Sequence, residues 1–476
     1  MGIYDVLQDM NWKSNKPGRP LGVAGRRTRV AALALGCAWA CAGPAWAQLV
    51  ALPIPTLPGL PTSPITRGVE AVVDQTRSAI DETSQVVSSA TRVRKLLRAH
   101  RAQLEADPNG VPMVRARLLA VSPSAMALDA ARAAGFVVID DHELDGLDIR
   151  MVQLAVPSSL STATALRRLR ELDPAGRYDF DHIYVTSGSA ASIGTPVDAA
   201  TANPGAPALS AGIARVGLVD GGVDAQHPVF QRNVIERWGC GGKALASAHG
   251  TAVASLMVGL NVPYRGAAPG ATLYAADVYC DEPVGGAVAS VAAALGWMAQ
   301  QRVAVINVSL VGPDNLLLAE AIRALQSRGH LIVAAVGNDG PAARPLYPAS
   351  YAGVVGVTAV DARGRALFEA ARGPQVRLAA PGADLPAAGL HRDYVAVRGT
   401  SFAAPIVAGL LAAALPAPDR AAAAAALAHL EAQAVDLGSR GVDTTYGAGL
   451  VGDSVRAALA AAHIKLTQPS EPEFAE

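Results

Sequence analysis

The sequence predicts an α/β protein: a parallel sheet covered by helices on both faces, preceded by a smaller βαββαβ unit and an N-terminal helical segment. Three observations predict it. Beyond Ala211, near-continuous apolar runs alternate with helical stretches, as in parallel strands buried on both faces. Residues 112–186 read strand, helix, two strands, helix, strand, the split βαβ or ferredoxin-like order. Hydrophobic residues make up 51% of the 476 and charged residues only 17%, so a large core must be buried. The same figures exclude a disordered chain, and the length excludes a miniature disulfide scaffold. Lys+Arg and Asp+Glu each total 40, which argues against a nucleic-acid binder with its basic excess.

The elements follow in chain order. Arg26, Arg27 and Arg29 precede an uncharged stretch, Val30 to Ala42, which leads to Gly43-Pro44 and the small-x-small triplet Ala45-Trp46-Ala47. This is the layout of a secretory signal peptide over residues 1–47, cleaved after Ala47. The long region before Arg26 fits either a start at Met10 or a weak twin-arginine-like signal. Without residues 1–47, 34 basic and 38 acidic residues remain, a net charge of −4. No later apolar run is long and unbroken enough to demand a membrane span, so the expected product is exported, to the periplasm or outside the cell. Cys37 and Cys41 fall in the signal. Cys240 and Cys280 are left as an even pair in an oxidising compartment, which points to a disulfide; two separate buried thiols are the plainer alternative. Residues 48–66, with repeated Leu-Pro and Ile-Pro pairs, read as a stiff linker. Residues 67–107 lose Pro and Gly and carry Val69, Val72, Val73, Ile80, Val93, Leu96 and Leu97 at helical spacing, predicting one or two amphipathic helices with a packing or spacer role.

In the βαββαβ unit, strands are expected at 114–121, 136–139, 149–156 and 178–184, with helices to Ala134 and over 162–172. Residues 187–209, rich in small residues, Thr and Pro, read as an exposed, cleavable connector. The catalytic-type domain is expected over 210–464, with a tail over 465–476. Its strands are predicted at 214–219, 272–279, 303–310, 331–336 and 353–360, with helices after His249, Ala287, Asn315 and Thr400.

Ligands in such folds bind beyond the carboxyl ends of the strands, and chemistry-bearing residues stand there. Asp220 closes Arg215-Val216-Gly217-Leu218-Val219. His249 opens His249-Gly250-Thr251-Ala252-Val253-Ala254-Ser255. Asn338 ends Val333-Ala334-Ala335-Val336-Gly337-Asn338. Ser401 lies in Gly399-Thr400-Ser401-Phe402-Ala403-Ala404-Pro405. Taken singly, these read as an Asp-Gly turn, a structural histidine, a turn asparagine and a helix N-cap.

Together, in the order Asp, His, Asn, Ser, the segments resemble the subtilisin-like serine peptidases, or subtilases. The resemblance runs from about residue 212 to 456 and includes Ser309-Leu310-Val311-Gly312-Pro313, Ala380-Pro381-Gly382 and Tyr446-Gly447-Ala448-Gly449; its Gly-Thr-Ser-x-Ala-x-Pro element is highly specific. It implies a subtilisin-like fold and a serine endopeptidase. Ser401 would be the nucleophile, His249 general base and then general acid, and Asp220 the group that orients and stabilises the imidazole. Asn338 would donate to the oxyanion alongside the Ser401 backbone N–H. The residue types suit this chemistry, because a serine hydroxyl attacks only when a base takes its proton, and imidazole titrates near neutrality.

Ser309, Leu310, Val311 and Gly312 would form one wall of the substrate groove, and Ala334, Ala335, Val336 and Gly337 the other. Three positions depart from the family pattern. Ala252 and Ile406 replace histidines outside the catalytic set, and Val311 replaces a glycine of the groove. The extra carbons at Val311 predict a preference for Ala, Val or Leu over Phe or Tyr before the scissile bond. Catalysis of this kind requires no cofactor; family calcium sites are not recognisable in short motifs, so the metal stays open. The expected partners are protein or peptide substrates, with no nucleic acid and no stable membrane span after signal removal. Subtilases commonly carry a βαββαβ propeptide, so residues 112–186 are expected to act as chaperone and inhibitor, with their exit strand along the cleft. A peptide-binding pseudopeptidase and an ester hydrolase using the same triad are the competing readings.

Overall fold

The computed structural model describes residues 89–187, 189–192, 214–261 and 264–467. The expected signal peptide, the Pro-rich linker, residues 67–88, most of the connector and the tail beyond 467 lie outside the described residues.

Helix α1 spans Ser89–Ala99 and turns Leu96 and Leu97 onto a small apolar cluster with Leu104, Val114, Ile183 and Ala287. The helical segment expected through 107 stops there. Leu104–Ala106 is instead strand β1, antiparallel to β2 (Pro112–Val121), with Leu104 opposite Val114. The reason is local competition: the neighbouring strand offers backbone partners and a buried seat for Leu104, which helical continuation would forfeit.

The βαββαβ unit continues through α2 (Ala125–Ala133), β3 (Val137–Leu144), β4 (Ile149–Ala155), α3 (Thr162–Leu172) and β5 (Tyr178–His182). Ser124 and Ser161 cap the two helices through their hydroxyls, each worth about 1 kcal/mol. The sheet is antiparallel, with β2 between β5 and β4 and β3 at the far edge. One face holds its own core of Leu118, Leu128, Phe136, Leu154, Leu166 and Leu169.

The larger unit is built on seven parallel strands, β8 (Arg215–Asp220), β9 (Ile235–Trp238), β10 (Thr272–Asp277), β11 (Val305–Val308), and, beyond a two-residue β12 (Leu310–Val311), β13 (Leu331–Ala335), β14 (Val355–Val360) and β15 (Val376–Pro381). Their order is β15-β14-β13-β11-β8-β10-β9. Alternate residues face opposite ways: Val216 and Leu218 join the core under α4 (Ala248–Val258) and α7 (Thr400–Ala414), whereas Val219 joins the one under α5 (Val288–Gln300) and α6 (Leu316–Ser327). Between β15 and α7, β16 (Ala383–Ala388) and β17 (Tyr394–Arg398) form an antiparallel pair.

The structure corrects several expectations. The strand predicted over 303–310 ends at Val308, and Leu310–Val311 leaves the sheet to pair elsewhere. Strands β9, β15, β16 and β17 were not anticipated, nor were helices α8 (Arg420–Ala432) and α9 (Asp453–Thr467), the latter running into the expected tail. Short strands such as β9 expose part of their length, and α8 opens on a run of alanines, so neither bears a strong hydrophobic period.

The two units dock through acidic residues of β5. Asp179 accepts from the Leu316 amide at 2.8 Å and Asp181 from the Ala289 amide at 3.2 Å, so each carboxylate meets the N-terminus of a helix of the larger unit, where the dipole favours negative charge. Burial pushes the Asp181 carboxyl up, opposed by that amide and by Arg117 at 3.4 Å.

Candidate active site

The four motif residues converge at the carboxyl end of the parallel sheet. Asp220, the last residue of β8, is fully buried; its carboxylate accepts from the Gly221 amide at 2.6 Å and has both oxygens 2.9 Å from His249 Nδ1. His249 is the second residue of α4, whose first turn is capped by Ser247. Gly250 lets that helix approach: an added Cβ would lie 2.2 Å from the Gly221 carbonyl oxygen. The Phe402 ring packs 5.3 Å from the imidazole.

Ser401 is the second residue of α7, entered through Gly399 at φ +133°. Its hydroxyl lies 3.3 Å from the Ser309 carbonyl oxygen, and Ser309 Oγ donates to the Ser401 carbonyl at 3.0 Å. Asn338 accepts from the Thr400 amide through Oδ1 at 3.0 Å, and Gly337 N donates to Thr400 Oγ1 at 3.2 Å. Since an N–H must meet oxygen, the Thr400 contact fixes which way the Asn338 amide faces. Its Nδ2 and His249 Nε2 are both buried and, among the described residues, without a hydrogen-bond partner. Buried polar atoms left this way are costly unless a reacting group is to fill the gap. Among the described residues no hydrogen bond joins the Ser401 hydroxyl to His249 Nε2; a base and an amide donor brought within reach of a hydroxyl can activate it and hold a developing oxyanion.

The chain's own backbone runs through this site. Ile183 bridges antiparallel to Ala287, and Tyr184 N donates to the Gly286 carbonyl at 2.8 Å. Strand β6 (Val185–Thr186) pairs antiparallel with β12, Thr186 opposite Leu310 and Val185 opposite Val311. Beyond Gly188, β7 (Ser189–Ser192) pairs with β17, Ser189 opposite Arg398. Between the two ladders, Ser187 Oγ lies 2.6 Å from Ser401 Oγ. The connector expected to be exposed from residue 187 therefore starts buried, Ser187 being 1% exposed. Small residues without apolar period can still form strands when another unit supplies the partners.

Of the predicted groove residues, Leu310 and Val311 pair with this exit chain, Gly312 lies under the Tyr184 ring and Ser309 meets Ser401, whereas Ala334 and Ala335 lie within β13 with their side chains in the two cores. Two features were missed. Tyr184 is fully buried: its ring crowds Gly312, where an added Cβ would lie 2.6 Å away, and its hydroxyl donates to the Pro313 carbonyl at 2.5 Å. Burial holds the Tyr279 phenol well above its ordinary range, so it stays protonated and donates to the Tyr184 carbonyl at 3.0 Å. Leu346 was the second: a Cβ on Gly337 would lie 2.5 Å from Leu346 Cδ1 and 3.7 Å from Val311 Cγ1. Nothing local in Arg344-Pro345-Leu346 marks this role.

Cys240 and Cys280 are bonded to each other. With Asp277 they form a cluster of metal-ligand types among the described residues, but both sulfurs are committed to the bond. It closes a loop containing His249, which the chain-entropy model values at about 4 kcal/mol. Reduction is expected to lower the melting temperature and the activity; alkylation of both cysteines in the native, unreduced protein would contradict the pairing.

Comparison with known proteins identifies the family. A model described as the Subtilase family matches residues 213–449. The chain is 35% identical over 211 residues to the thermostable alkaline protease of Halalkalibacterium halodurans, covering 42% of this chain and 56% of that one. It is 35% identical over 206 residues to subtilisin BL of Lederbergia lenta, covering 43% and 75%. Fervidolysin from Fervidobacterium pennivorans, a keratinolytic enzyme related to subtilisin, shares the fold at a TM-score of 0.59 and 22% identity, over 73% of this chain and 61% of its own. The chain belongs to the subtilase family. It spans little more than half the length of the alkaline protease.

Proposed function

We propose that the protein is an exported serine endopeptidase, made as a zymogen, that cleaves itself between Ser187 and Gly188. The observation that carries this reading is the backbone laid across Ser401 with antiparallel ladders on both sides, the way β-augmentation presents an extended substrate. Continuing the β6 ladder sets Ser187 opposite Ser309, beside the Ser401 hydroxyl. Ser401 attacks the Ser187 carbonyl carbon, His249 Nε2 takes its proton, and Asp220 holds the imidazole by Nδ1. The oxyanion is met by Asn338 Nδ2 and the Ser401 amide, and His249 then protonates the Gly188 nitrogen as it leaves. Water hydrolyses the acyl-enzyme by the same steps. The βαββαβ unit, docked through Asp179 and Asp181, stays as an inhibitor until its exit strand is released. The relatives' names, alkaline protease and subtilisin, support protein substrates.

The full chain is tested with a fluorophosphonate label and a denatured protein substrate. Labelling with cleavage supports the endopeptidase. Peptide binding without labelling would favour the pseudopeptidase, and ester turnover without protein cleavage the esterase.

The groove implies selectivity. Val311 and Leu346 close over Gly337, leaving room for a small residue before the scissile bond, while the Tyr184 seat accepts a phenol three residues further upstream. Peptides patterned on Tyr184-Val185-Thr186-Ser187 are expected to be cleaved best. Leu346→Gly is expected to raise kcat/KM for substrates with Phe before the scissile bond roughly 10- to 200-fold, the scale of pocket-volume effects. A library in which the wild type prefers Phe or Tyr there would refute the pocket argument and leave the catalytic assignment intact.

A further inference from the structure

The ion pair between Arg398 and Glu369 stands beside the site. Arg398 Nε lies 2.7 Å from Glu369 Oε1 and Nη2 3.0 Å from Oε2, a two-pronged contact with Glu369 only 5% exposed. Such a fork fixes both distance and direction.

What it joins is informative. Arg398 ends β17 and is followed by Gly399, Thr400 and Ser401. On the other side, the Glu369 carbonyl accepts from the Gly340 amide at 2.8 Å, and the Ala371 amide donates to the Gly337 carbonyl at 3.0 Å. Residues 369–371 therefore bracket Asn338 two residues after it and one before it. The two expected oxyanion donors, Asn338 Nδ2 and the Ser401 amide, sit on the two loops that this pair connects. Among the described residues, the side-chain hydrogen bonds between the loops run through Thr400, to Asn338 Oδ1 and from Gly337 N.

Stability is a poor explanation for the pair, because desolvation of two charges offsets most of their attraction and apolar residues would pack as well. A fixed separation is what a fork provides and apolar packing does not. We propose that Arg398 and Glu369 are positioning residues that set the distance between the two oxyanion donors, so that the pair acts on the transition state and not on substrate binding. This rests on the endopeptidase reading above.

The test uses self-processed enzyme prepared from the full chain, counted by active-site titration with a fluorophosphonate, for the wild type, Glu369→Gln and Arg398→Lys. Both variants are expected to lose about tenfold in kcat, short of the hundredfold that a misplacement of about 1 Å can cost, with KM unchanged. Affinity for a peptide boronic acid, whose tetrahedral adduct occupies the oxyanion position, should fall by the same factor. Arg398→Lys keeps the opposite charges and removes only the fork, so its loss reports geometry and not charge. Unchanged kcat per titrated site, a loss confined to KM, or a loss matched only by a lower melting temperature would overturn the proposal. If Glu369→Gln fails to fold, Arg398→Lys decides the question alone. A wild type without peptidase activity, equal to Ser401→Ala, would remove the endopeptidase reading and this one with it.

Discussion

Ser401→Ala is expected to lower peptide hydrolysis by about a million-fold, the scale on which removing a triad nucleophile acts, and to leave the full chain uncut between Ser187 and Gly188. The size follows from geometry. Ser401 is the hydroxyl that meets the exit chain at 2.6 Å, and alanine leaves the base and the oxyanion donors with no atom to activate. The fold should persist, because Ser401 enters α7 through a helical backbone and the change removes one oxygen. Mass spectrometry of wild-type protein should find a new N-terminus at Gly188 that the variant lacks. A wild-type chain that is fully active while still joined at 187–188 would overturn the self-processing reading; a variant that cleaves at the wild-type rate would overturn the nucleophile assignment.

Asp220→Asn is expected to cost about 10⁴ in kcat with little change in KM. The buried carboxylate offers His249 Nδ1 two acceptor oxygens, and one of them also takes the Gly221 amide. An asparagine in that place keeps one acceptor, which the Gly221 amide claims, and turns an NH₂ toward the ring. Nδ1 must then accept, the proton moves to Nε2, and the imidazole can no longer take the Ser401 proton. Fluorophosphonate labelling should slow in parallel with peptide cleavage. A variant within tenfold of the wild type would mean that another group orients His249.

Reading the sequence reached the four residues of the candidate site because each sits in a short segment whose neighbours serve the same local need. Gly250 allows a close helix approach, Gly399 a positive φ, and the apolar runs before Asp220 and Asn338 the strands that deliver them. It also reached the βαββαβ unit, whose helices carry a clear apolar face and serine caps. The strand at Leu104–Ala106 and the break after Val308 were missed, since both depend on a neighbouring strand for their hydrogen bonds.

The sequence by itself determined the parallel α/β architecture, the order of Asp220, His249, Asn338 and Ser401, and the small unit ahead of them, all written in local periodicity and turn chemistry. Only the tertiary structure decided that Ser187 rests on Ser401, 214 positions away. The same holds for Leu346 closing over Gly337, for Asp179 and Asp181 at the starts of two distant helices, and for Glu369 gripping Arg398. Local spacing dictates which face of an element a side chain occupies, but which faces meet follows from how the whole sheet and its helices close around their two cores.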